Sequence, residues 1–168
     1  MFGKKHKDRI VETPIHPVIG EIKYIGIGWE ATEKIQLALW RKTYDIPLNF
    51  IADSKEDSIT ENQEIAFEKL KQVIIEQKSE IEKSIISYAK TEDEEELLIR
   101  FIPSHIHISK KGECALFVAD TDEDGAYNDE TETAFALFLM PKLLLYTSED
   151  SLDFLLGGGG SLHDDLYG

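Results

Sequence analysis

Between two apolar runs the chain reads ADTDEDGAYNDETETAF, Ala119 to Phe135, with seven carboxylates in seventeen residues. Asp120, Asp122 and Asp124 alternate ahead of Gly125, and Asn128 follows at the ninth place. A hard cation such as calcium takes oxygen ligands at alternating positions, and glycine lets the backbone turn sharply around it. The twelfth place, where a helix–loop–helix calcium site needs a bidentate Glu, holds Thr131, with Glu130 and Glu132 on either side. The preceding CALFVA reads as a strand rather than as an entering helix. Two readings of the turn stay open: a calcium-holding β-hairpin loop using Asp120, Asp122, Asp124 and Asn128, or a solvated turn built from ordinary Gly, Asn and Asp chemistry. Calcium is the one cofactor the residues suggest.

His105 and His107 flank Ile106 in SHIHIS. On a strand both imidazoles share a face, roughly 6.5–7 Å apart along the chain. A transition metal could use that spacing if a third ligand converged, which would make a metal-dependent enzyme the alternative reading. Against it stands an exposed polar face opposite Ile106 and Ile108. Cys114 lies inside an apolar run, where a thiol packs as a small core residue. No Gly-x-Ser-x-Gly elbow occurs, and the four glycines from Gly157 to Gly160 lack the Lys-Ser/Thr that a phosphate loop requires. No residue is assigned a catalytic role.

The 168 residues carry 33 acidic and 18 basic side chains, a net charge of −15. Such a surface repels phosphate backbones and anionic membranes, so nucleic acid and membrane are not the expected partners. It attracts a basic protein instead. Aromatic residues beside carboxylates would be the strong contacts, which selects Trp29 and Tyr127 together with Asp122, Asp124 and Glu130. Trp40 is expected in the core. One cysteine fits a reducing cytoplasm, and the basic start MFGKKHKDR is followed by no apolar stretch of signal-peptide type.

The elements that must position these residues follow from periodicity. EIKYIGIGW, TEKIQLALW and YDIPLNFIA alternate as strands and suggest an antiparallel meander with one buried face. Pro47 implies an edge or a bulge. From Ser58 to Lys90 a helical stripe runs through Phe67, Leu70, Val73, Ile74, Gln77, Ile81, Ile85 and Tyr88, with capping-box signals at its start and room for a break between Glu76 and Glu80. HIHIS, ECALFVAD, TAFALFLM and KLLLYTS return to strand, with FALFL and LLLY expected as central strands. The expectation is an α+β domain over residues 1–156, an antiparallel sheet of about six to seven strands with one long amphipathic helix packed on one face. A Gly-rich tail, 157–168, follows as a flexible connector whose Leu162, Leu166 and Tyr167 either dock or dangle.

GWEATEKIQLALWRKTYDIPLNFIAD, ITENQEIAFEKLKQVI and SIISYA, with the C-terminal HIHISKKGECALFVADTDEDG and FALFLMPKLLLYTSEDSLDF, resemble a family of uncharacterised bacterial α+β proteins. That family shows a Trp-bearing hairpin, a strand and a helix that opens on Glu-x-Gln and closes on an aromatic. The acidic turn here is longer than the family's and lacks its His after the carboxylates. The resemblance implies an acidic immunity or accessory protein of a bacterial toxin locus, a non-catalytic domain that occupies a basic toxin or nuclease.

Overall fold

The computed structural model describes residues 14–121, 135–158 and 161–168. Its elements run β1 (Ile15–His16), β2 (Gly20–Tyr24), β3 (Gly28–Ala31), β4 (Ile35–Leu39), β5 (Lys42–Ile46), β6 (Leu48–Ile51), α1 (Glu61–Glu76), α2 (Lys78–Ala89), α3 (Glu94–Arg100), β7 (Phe101–Ile108), β8 (Cys114–Asp120), β9 (Phe135–Met140), β10 (Leu144–Tyr146), α4 (Ser148–Leu155) and α5 (Ser161–Tyr167). The fold is α+β, as expected, with a mostly antiparallel sheet. The sheet has eight strands in the order β1-β2-β3-β6-β7-β8-β9-β10, and β4 and β5 form a hairpin of their own. Among the described residues no helix is long and apolar enough to cross a membrane.

The meander stops at β3. The chain leaves the sheet as the β4–β5 hairpin and returns as β6, antiparallel to β3 with Trp29 opposite Phe50. Pro47 stands where the chain passes from hairpin back to sheet, and its carbonyl accepts from the amide of Ile106 at 2.9 Å. β6 then pairs with β7 in parallel, the one parallel pair among the described strands. A parallel neighbour cannot be reached by a tight turn, so α1, α2 and α3 fill the crossover. Gly28 is required where β3 meets β6. A Cβ there would lie against the Phe50 carbonyl and the Asn49 Oδ1.

The expected single helix is two, α1 and α2, meeting at Gln77, whose φ of −99° and ψ of 10° leave the α-helical region. Leu70, Ile74, Ile81 and Ile85 carry the buried stripe across that joint onto one sheet face. Thr60 and Gln63 form the capping box. α2 ends on Lys90, which holds a left-handed φ of 59° that costs a side-chain-bearing residue about 1 kcal/mol. Lys90→Gly is therefore expected to stabilise the protein by about 0.5–1 kcal/mol, raising its melting temperature by roughly 2–3 °C in a thermal melt.

The second face of the sheet is covered too. Phe117, Phe138, Phe154, Leu155, Leu162 and Leu166 form a separate apolar cluster there. This explains why β8 and β9 are buried along nearly their whole length, as continuous apolar runs predict. LLLY departs from its expectation: β10 is the edge strand and is half-buried throughout. The segment beyond the glycines docks, with Leu162 and Leu166 at 3% and 4% exposure and the Tyr167 hydroxyl donating to Glu113 Oε2 at 2.6 Å.

Candidate functional site

Asp120 and the carboxylates of α3 lie toward the sheet end where β7 begins and β8 finishes. Phe101 pairs with Asp120 there, so α3 leads into the same edge from which the acidic turn departs. Asp93 caps α3 by accepting from the amides of Glu95 and Glu96. Glu94, Glu95 and Glu96 fill its first turn, where carboxylates favour the positive end of the helix. Part of this acidity therefore serves the helix itself. Glu95 nonetheless keeps 79% of its side chain exposed.

One cation reaches this face from the side. Arg41, at the tip of the β4–β5 hairpin, lies 3.8 Å from Glu94 and 3.7 Å from Glu95, a loose and solvated arrangement. Beside it Trp40 is half-buried against the core at a φ of 51°, with its amide donating to the Glu82 carboxylate of α2. Sequence placed Trp40 in the core and chose Trp29 as the contact residue. Both indoles are half-buried against the core, and Trp29 lies opposite Phe50 at the level of Ile108, roughly 23 Å of strand away from Phe101. The Trp29 Nε1 also donates to the Asp57 carbonyl at 2.7 Å, which holds the ring in place.

Asp120 takes a role that sequence did not foresee. Its two oxygens accept from Arg100 Nε at 2.8 Å and Nη2 at 3.0 Å, a bidentate pair that ties the end of α3 to the start of the acidic turn. The pairing holds the Arg100 guanidinium above its ordinary pKa, first through the hydrogen bond itself. A calcium ion using Asp120 would have to displace that guanidinium. Asp122, Asp124 and Asn128, the other candidate ligands, and Tyr127 and Glu130, the other candidate contact residues, lie outside the described residues.

His105 and His107 do share a face, with ring centroids 4.3 Å apart. They do not form an exposed polar face, because His107 is buried at 3% exposure. His105 stacks on Phe117 at 5.5 Å, and His107 meets the same ring edge-on at 5.1 Å. The Nδ1 of His107 lies 2.9 Å from Asn49 Nδ2, across the parallel β6–β7 pair. Burial, and after it the neighbouring His105, pushes His107 down to about 3, so its ring is neutral at pH 7 and accepts from the Asn49 amide. Asn49 Oδ1 is left without a hydrogen-bond partner. Among the described residues no three His, Cys, Asp or Glu side chains converge as metal ligands. Cys114 is wholly buried, and burial raises its thiol pKa, so it stays protonated.

Comparison of the chain with protein-family models, with curated proteins and with solved structures found no match.

Proposed function

We propose that this is a non-catalytic protein-interaction domain whose acidic end occupies a basic partner, in the manner of an immunity-type inhibitor of a toxin or nuclease. The observation that carries the reading is the pairing of Arg100 with Asp120. It ties Asp120, the first acid of the carboxylate-rich stretch, to the last residue of α3, the helix whose first turn carries Glu94, Glu95 and Glu96. Crowded carboxylates steer a cationic surface and mimic the charge of a phosphate chain. The half-buried Trp40, adjacent in sequence to the Arg41 that reaches Glu94 and Glu95, is the aromatic residue that would serve as an apolar anchor.

Anisotropy of a fluorescein-labelled Lys/Arg-rich peptide tests the reading. Changing Glu94, Glu95 and Glu96 together to Gln is expected to weaken binding about tenfold and to flatten its salt dependence. Changing Glu21, Glu33 and Glu68, which are exposed elsewhere, removes the same charge and is expected to have less than a third of that effect. Equal losses from both sets would show a diffuse field and no site, and would end the proposal.

A further inference from the structure

One groove inverts the charge balance of the molecule. It measures 830 Å³ and runs between α1 and the β9–β10 turn, with Lys111 at the β7–β8 turn closing one end. Its walls carry Lys69, Lys111 and Lys142, and none of the three takes part in an ion pair with another described residue. Of its two carboxylates, Glu113 is buried and already engaged, accepting from the Ser109 hydroxyl and from the Tyr167 hydroxyl. Glu80 accepts from Lys83 at 3.2 Å, so neither carboxylate is paired with the three ammonium groups. In a chain with 33 acids to 18 bases, that is a local reversal of sign.

The floor is apolar. Ile65, Val73 and Leu143 line it, and Ile65 keeps 45% of its surface exposed on the helix. From Asn62 to Gln77 the α1 wall extends roughly 22 Å, the length of a four-turn helix. A trough of that length, with apolar floor and cationic rims, is complementary to an amphipathic segment that presents leucine-like anchors to the helix and carboxylates to the lysines. We infer that this groove binds an acidic, apolar-anchored peptide segment of a partner protein. It is a second surface of opposite sign to the acidic end, and it stands whether or not a basic partner occupies that end.

The probe is a fluorescein-labelled 16-residue Glu-rich peptide with Leu at helical i, i+3, i+4 and i+7 spacing, titrated into the full chain by anisotropy. Saturable binding is expected, weakened about tenfold by Lys69→Glu with Lys142→Glu. Ile65→Asp is expected to weaken it by a similar factor, and so is a peptide of the same composition with its leucines scattered. If the double variant has lost its native melt, Lys69→Gln with Lys142→Gln replaces it, and about a threefold loss is then expected. Absence of saturation overturns the inference, as does binding insensitive to the lysine changes or to leucine spacing. A single-stranded RNA or duplex DNA oligonucleotide that binds more tightly than the peptide, and loses that binding in the same variants, overturns it in favour of nucleic acid. Sedimentation showing a wild-type dimer that Lys69→Glu dissolves overturns it in favour of a second copy of this chain.

Discussion

Replacing Gln63 by Met is expected to cost about 3 kcal/mol of stability, read as a lower urea midpoint at unchanged slope. Gln63 lies at 1% exposure at the start of α1, and every polar atom of its side chain is used. Its Nε2 donates to the Ile51 carbonyl at 2.9 Å and to the Ile108 carbonyl at 3.1 Å, the last residues of the two parallel strands. Its Oε1 accepts from the Thr60 amide at 2.9 Å. One side chain thus caps the helix and terminates β6 and β7 together. Met fills nearly the same volume without donors or acceptors, so the substitution isolates hydrogen bonding from cavity formation. Each buried group left unmade costs about 1 kcal/mol or more, and three are lost at once. A melting point lower by roughly 6–12 °C should accompany the urea result. A loss below about 1 kcal/mol would mean that water replaces the amide.

The Glu61-x-Gln63 opening was visible in the sequence, but only its capping half could be read there. A capping box is a local pattern, three residues apart, whereas the bonds to Ile51 and Ile108 span 12 and 45 residues. The same division between local and distant explains the rest of the fold. The apolar stripe through Leu70, Ile74, Ile81 and Ile85 and the all-apolar β8 and β9 declare themselves by periodicity, because each reports how many of its faces are buried. What periodicity omits is the identity of the neighbour. Ile35, Leu37 and Leu39 alternate as a half-buried strand of the main sheet would, yet they belong to a hairpin folded onto its core. LLLY looks central from composition and is an edge strand, since an apolar run does not say which side receives the next strand.

The candidate site was legible to a similar depth. The crowding of acids was plain, but the Phe101–Asp120 register, which brings α3 and the first acid of the turn to one sheet end, was not. Trp29 is a contact candidate in the sequence as an aromatic among carboxylates. The strand order places it at the level of Ile108, away from Phe101, while the hairpin tip carries Arg41 to α3. Tyr167 meets Glu113 across 54 residues of sequence, and that bond gave no local signal.

His107 shows how the second covered face alters a residue's chemistry, and it leads to the other large expected effect. An alternating strand with one face in water would leave His105 and His107 solvated. Here Phe117 packs against both rings and the His107 side is closed. Its imidazole, ordinarily near 6.5, is pushed to about 3 by burial and secondarily by His105. The folded pKa lies below the unfolded one, and the group is a base, so the unfolded chain binds the extra proton first. Stability is therefore fully present above pH 6.5 and falls as the pH drops from there toward 3. Between pH 7 and pH 5, where most carboxylates remain ionised, this single group should remove about 2 kcal/mol. His107→Gln keeps a partner for the Asn49 amide and cannot titrate, so the variant should lose about 2 kcal/mol less than the wild type over that interval. The other histidines are common to both proteins, so their contributions cancel in the comparison to first order. Urea midpoints at the two pH values decide it. Parallel losses in the two proteins would show that the ring takes up its proton inside the folded sheet, with the Asn49 amide turning its unpartnered Oδ1 toward the new N–H.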